Sequence, residues 1–122
     1  MSDKPVAERL QVKHGRRLAV IGAPPALDAA IGTDAPRAAP SEAEVVLLAT
    51  PDRATFLAQV PRTAAAIAPA AILWVAYPKL TSPLAADLNR DTIRALALAH
   101  GLDTVSQIAV DADWSAMRLK RV

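Results

Sequence analysis

The sequence predicts a three-layer α/β fold, with a mostly parallel sheet between helices and a C-terminal antiparallel hairpin. Three observations predict it. Short continuous apolar runs alternate with amphipathic segments, which is the pattern of strands covered on both faces. Each run ends at or just before a glycine or proline. Beyond Thr104 the runs give way to alternating apolar and polar positions, the mark of strands with one solvated face.

The elements follow in order. Lys4 to Leu10 reads as a short helix. Leu18 to Gly22 is an apolar, partly β-branched run and reads as the first strand. Pro24, Pro25 and Pro36 then allow only a short helix, and Gly32 to Pro40 reads as a loop-like insertion. Glu44 to Thr50 is the second strand, ended by Pro51. In Asp52 to Ala68 the positions Phe56, Leu57, Val60, Ala64 and Ile67 recur at spacings of three and four. They predict an amphipathic helix, with Asp52 near its start and Pro61 expected to kink or divide it. Ala71 to Tyr77 is the third strand, ended by Pro78. Asp87 to His100 predicts a helix with Leu88, Ile93, Leu96 and Ala97 inward. Gly101 supplies its left-handed end, and Ser82-Pro83 offers a second start. Thr104 to Asp111 and Met117 to Val122 alternate and are joined by few residues, which predicts the hairpin. Right-handed crossovers would place helices on both faces of the sheet.

Composition narrows the class. With 122 residues and 52% hydrophobic side chains, the chain has the size and apolar content of a single domain, 1–122, and is too apolar for intrinsic disorder. There is no cysteine, so disulfides, thiol nucleophiles and cysteine-ligated metals are excluded. No apolar h-region follows the N-terminus, and the uncharged stretch from Ala64 to Pro78 falls short of the roughly 18–20 residues of a spanning helix. A cytoplasmic protein without membrane contact is expected. The formal charge is +2, but it is segregated. Residues 1–17 hold five basic and two acidic side chains, and Arg118, Lys120 and Arg121 add three more at the other end. The aromatic residues do not interleave with this charge, so a nucleic-acid partner is not expected.

Ligands of open parallel α/β sheets bind beyond the carboxyl ends of the strands. Three segments qualify: Gly22 to Pro25, Thr50 to Arg53, and Tyr77 to Pro83. Among them Gly22, Pro24, Tyr77, Lys79 and Ser82 are candidate ligand-binding residues. Lys79, Thr81 and Ser82, next to a helix start, suit a phosphate or carboxylate, although an ordinary turn capping the next helix is the plainer explanation. Asp87, Arg90 and Trp114 complete the candidate set. Asp87 and Asp91 would share a helix face, with Arg90 and Arg94 beside them, where a surface ion-pair face is again the plainer explanation. Trp74 reads as core. Tyr77 and Trp114 lie at element ends, where amphipathic rings line pockets and interfaces. No catalytic residue and no metal site is predicted, because His14 and His100 lack partners at ligand spacing. The G-x-S-x-G elbow and the P-loop are also absent.

A run of β-α units closed by a hairpin resembles a shortened Rossmann-like methyltransferase domain. Trp74 to Lys79, Asp87 to Thr92, Thr104 to Ile108 and Asp113 to Arg118 also resemble a family of small bacterial proteins of unassigned function. That resemblance spans most of the chain and implies a fold and a bacterial origin, with no activity to carry over. The methyltransferase resemblance implies a glycine-rich cofactor loop after the first strand and an acid at the end of the next. Here Gly22 is followed by Ala23, Pro24 and Pro25, two of which lack an amide donor. Thr50 and Pro51 stand where the acid would be, and a whole β-α unit is missing. Binding of S-adenosylmethionine is therefore not expected, and no cofactor is predicted.

The expected function is a non-catalytic α/β domain that binds a small anionic ligand or a protein partner at the strand-end loops. The alternatives are a methyltransferase-like transferase with a degenerate loop, and a self-associating module. In the latter a second copy would pair along the outer strand of the hairpin.

Overall fold

A computed structural model describes residues 5–32 and 36–122. The element order is α1 (Val6–Arg9), β1 (Leu18–Ile21), α2 (Pro25–Ile31), β2 (Val45–Ala49), α3 (Arg53–Ala66), β3 (Ile72–Pro78), α4 (Arg90–Leu98), β4 (Leu102–Ala109) and β5 (Trp114–Arg121). The strands form one sheet in the order β1-β2-β3-β5-β4. β1, β2 and β3 are mutually parallel, and β5 is antiparallel to both β3 and β4. The hairpin is present as expected, but it folds so that its second strand enters the sheet beside β3 and its first strand becomes the edge.

Alternation along the central strands builds two cores. Val46, Leu48, Leu73, Val75, Tyr77 and Met117 face one side, where α3 contributes Phe56 and Val60 and α4 contributes Ile93 and Ala97. Val45, Leu47, Ala49, Trp74, Ala76 and Trp114 face the other side, against Leu27 and Ile31 of α2 and Leu10 just after α1. The continuous apolar runs are thus strands buried on both faces, as their composition requires. The Trp74 indole N–H donates to the Leu10 carbonyl at 2.9 Å, which fastens the N-terminal segment to the middle of the sheet.

The route from β1 to β2 departs from a simple crossover. After α2, Arg37 forms a parallel bridge with Leu18 on the outer edge of β1. Leu18 N–H donates to the Pro36 carbonyl at 2.9 Å and Ala38 N–H to the Leu18 carbonyl at 3.1 Å. The chain then returns over the α3 face, where Ala43 is buried and Ala38 packs. So α2 leads away from β2 on one face, and α3 follows β2 on the other. Connections leave β1 and β2 in opposite directions, which makes the gap between their carboxyl ends a topological switch point. The insertion expected over Gly32 to Pro40 is therefore in part a bridging edge segment; residues 33–35 lie outside the described residues, as does Lys4 of the first expected helix.

Three expectations are corrected. Pro61 lies inside α3, which continues past it to Ala66, so the helix is not divided there. Its ring removes the hydrogen bond to the Leu57 carbonyl, and Leu57 lies on the exposed side of the helix, where an orphaned carbonyl costs least. α4 starts at Arg90 rather than Asp87, because the Asn89 side chain caps it by accepting from Thr92 N–H at 2.9 Å. Asp87 therefore does not share a helix face with Asp91. Its Oδ1 instead accepts the Arg53 amide at 2.7 Å at the start of α3, beside the Asp52 cap on Thr55 N–H. Ser82-Pro83 begins no helix and lies in turns before α4. Among the described residues no helix is long and apolar enough to cross a membrane.

Arg17 and Glu44 clamp the entries to β1 and β2, with the guanidinium at 2.9 Å from Glu44 Oε2 and the Arg17 amide at 2.7 Å from Oε1. These hydrogen bonds hold the Glu44 carboxyl down at about 2. A depressed carboxylate contributes stability fully above its unfolded value, near 4.5, and loses it as pH falls toward the folded value. Urea midpoints measured from pH 5 to pH 2 should therefore drop less steeply for Glu44→Gln than for the parent chain. Trp74→Phe leaves the buried Leu10 carbonyl without a donor, and chemical denaturation should show a loss of about 1–3 kcal/mol, with faster amide exchange at Leu10 and Val12.

Candidate functional site

Two openings flank the carboxyl ends of the parallel strands, one on each face of the sheet. They share the end of β3, where Pro78 lies opposite Trp114 and Tyr77 opposite Ser115.

On the α4 face is a cleft of about 610 Å³. Its floor is Tyr77, a residue only 3% exposed, with Gln107 and Ser115 beside it on the hairpin. Gln107 Nε2 donates to the Tyr77 hydroxyl at 2.8 Å. Its rim is Lys79, Leu80 and Thr81 after β3, and Asn89, Arg90 and Asp91 at the start of α4. Neither Lys79 nor Arg90 forms an ion pair among the described residues. The cleft thus joins two uncommitted cations, the first turn of a nine-residue helix and a set of neutral hydrogen-bonding groups. Asp91 is the single acid among its lining residues. Burial pushes the Tyr77 phenol up, while the positive charge of Arg90 and hydrogen bonds to Ser115 and Gln107 pull it down.

On the α2 face, at the switch point, is a smaller cavity of about 310 Å³. Ala49, Pro51, Pro78, Leu84 and Trp114 give it apolar walls, and Gly22, Pro24 and Ala26 close it on the α2 side. Asp111 and Asp113 line it from the hairpin turn.

Of the sequence candidates, Tyr77, Lys79 and Arg90 come together in the cleft, and Gly22, Pro24 and Trp114 in the cavity. Two others line neither opening. Ser82 is buried, donating to Asp113 Oδ1 at 2.8 Å and accepting from Leu84 N–H at 3.0 Å, so its hydroxyl holds the loop between the openings. Asp87 caps α3, as above. Gln107, Ser115, Asn89, Asp111 and Asp113 were not singled out from sequence. Alternation put Gln107 on one face of its strand, but only the β4–β5 register brings it to Tyr77.

Comparison with known proteins places the fold. No protein-family model matches the chain, and no curated protein matches it. Among solved structures, the ribosomal protein L11 methylase from Lactobacillus delbrueckii subsp. bulgaricus is similar at a TM-score of 0.59 and 10% identity, over 95% of this chain and 74% of that one. The mitomycin 7-O-methyltransferase MmcR matches at 0.59 and 12%, over 97% of this chain and 53% of its own. NcsB1, an O-methyltransferase from neocarzinostatin biosynthesis solved with S-adenosylmethionine and a naphthoic acid, matches at 0.56 and 15%, over 86% and 41%. The chain spans about half or less of the latter two. At these identities the likeness establishes a Rossmann-like fold, of the kind methyltransferases have.

The residues present do not fit the cofactor that fold implies. Gly22 takes the left-handed conformation, with φ of 70°, but Pro24 and Pro25 next to it have no N–H to offer. At the end of β2, Thr50 donates both its amide, at 2.8 Å, and its hydroxyl, at 3.0 Å, to the Ala76 carbonyl. The next acid, Asp52, is spent on the Thr55 cap. Among the described residues no carboxylate is left at that strand end for ribose hydroxyls, and the two prolines interrupt the run of amides after β1.

Tyr77 is the chain's one tyrosine, so its titration is read without overlap. Ultraviolet titration should place the phenol above its ordinary value near 10. Arg90→Gln should move it higher still, since the cation that favours phenolate is removed. An unchanged or lowered midpoint in that variant would separate Arg90 from the cleft.

Proposed function

We propose that this chain is a non-catalytic, small-ligand-binding domain on a Rossmann-like scaffold, and that its ligand is an anion held in the cleft between the end of β3 and the start of α4. The observation that carries the reading is the pairing across one cleft of two cations, Lys79 and Arg90, that form no ion pair among the described residues. A carboxylate or phosphate there gains charge-assisted hydrogen bonds and the favourable end of the α4 dipole. Tyr77, Gln107 and Ser115 orient the rest of the ligand. A cytoplasmic setting and kinship with a bacterial family of short α/β proteins belong to the same reading.

The transferase alternative shares the fold with the methyltransferases above, but Pro24 and Pro25 after β1 and the committed Asp52 after β2 weigh against it. Self-association along β4 is the weaker reading for a different reason. β4 is an outer edge, but its register shifts between Thr104 and Ser106, and an irregularity of that kind disfavours pairing with a second edge.

Titration of the ¹⁵N-labelled protein with inorganic phosphate tests the proposal. Amides of Lys79, Thr81 and Arg90 should shift together, with an affinity that falls as salt is added. The double variant Lys79→Gln/Arg90→Gln should bind at least about tenfold more weakly. Shifts confined to other surfaces, or unaffected by the double variant, would refute it.

A further inference from the structure

We propose that the switch-point cavity is a second and separate binding site, and that it takes a compact apolar amine. The cavity lies where the fold opens for ligands, between the carboxyl ends of β1 and β2, yet its chemistry is unlike that of a nucleotide crevice. Its walls are Ala49, Pro51, Pro78, Leu84 and Trp114. Prolines 24, 51 and 78 leave few amide donors along the rim, so a ligand with many acceptors would lose its hydrogen bonds to water without replacing them. An apolar body loses nothing of that kind.

The charge of the lining decides the sign of the ligand. Asp111 and Asp113 carry it, and among the described residues no cationic side chain lines the cavity. Each aspartate has one oxygen committed. Asp111 Oδ1 accepts from the amides of Asp113 and Trp114 at 2.8 Å each, and Asp113 Oδ1 accepts from Ser82 at 2.8 Å. Their second oxygens have no partner among the described residues. The carboxylates are therefore held in place by the hairpin turn and the Ser82 loop, with acceptor capacity left over. An ammonium group beside an apolar wall meets that capacity, while an anion is repelled.

Size limits the body of the ligand. A cavity of about 150 Å³ holds benzene, so about 310 Å³ has room for one ring and a short chain ending in the amine. Leu84 at the rim is 51% exposed and gains burial when the cavity is filled. Trp114 supplies a buried aromatic wall.

Phenethylamine and phenylacetate, which share a ring and differ in the sign of the charge, are the probes, followed by ¹⁵N–¹H spectra of the whole chain. Phenethylamine should shift the Trp114 indole and the Gly22 amide. The second indole, Trp74, bonded to Leu10, should stay in place and act as the reference. Phenylacetate and S-adenosylmethionine should bind at least about tenfold more weakly. Asp113→Asn keeps an oxygen for Ser82 and should weaken the amine by about tenfold, and Ala26→Leu, which fills the cavity, should abolish its binding. The cleft variant Lys79→Gln/Arg90→Gln should leave the amine untouched, so this site and the anion cleft can fail independently. Equal binding of the two probes, indifference to Asp113→Asn and Ala26→Leu, or shifts confined to the cleft would each overturn the proposal.

Discussion

The strand Ile72–Pro78 is the constraint on which the rest of the structure depends. It is paired on one side with the parallel β2 and on the other with the antiparallel β5. Its residues feed both cores, with Leu73, Val75 and Tyr77 on one face and Trp74 and Ala76 on the other. A backbone covered on both faces must satisfy its polar groups within the sheet, and only neighbours on both edges achieve that. The hairpin therefore cannot close the sheet as a simple extension. Its second strand fills the open side of β3, and its first is left at the edge.

That arrangement also creates both openings. Because residues alternate, Tyr77 turns toward α4 and Ala76 toward α2 as the strand ends, and Pro78 stops the ladder between them. The polar cleft and the apolar cavity are thus the two sides of one strand terminus. They differ in character because different loops complete them. The turn after β3 and the first turn of α4 bring cations and amides to one side. The proline-rich ends of β1 and β2 and the aspartates of the hairpin turn bring apolar walls and carboxylates to the other. The switch point forms with only the Arg37 bridge on the outer side of β1, and an opening lies there between the carboxyl ends of β1 and β2.

Much of the fold was legible in the chain, and the reasons are local. Val45 to Ala49 and Leu73 to Ala76 are apolar at successive positions, which suits only a strand covered on both sides. Gly101, with φ of 76°, ends the last helix as its residue type predicts. Helix boundaries were less legible, because caps compete. Asn89 and Asp87 are both good starts, and the structure uses Asn89 for α4 and gives Asp87 to α3. Pro61 leaves its helix undivided for a related reason. The cost of a proline depends on whether the carbonyl it orphans can reach water, which sequence does not state.

The candidate site divides in the same way. Residue chemistry identified Tyr77, Lys79, Arg90 and Trp114 as groups at element ends, and position along the chain put them near the strand termini. It did not show that Tyr77 and Trp114 look out on opposite faces, nor that Gln107 and Asp113 join them. By itself, then, the sequence determined which segments are strands and helices, where the strands stop, and that the candidate residues lie near the carboxyl ends. Those properties arise from hydrophobic periodicity and backbone stereochemistry, which act over a few residues. Only the tertiary structure decided the strand order, the doubling back over β1 and the sorting of the candidates into a cationic cleft and an acidic apolar cavity. These depend on pairing and register between segments as far apart as Tyr77 and Gln107, where burial and hydrogen-bond satisfaction over the whole sheet make the choice.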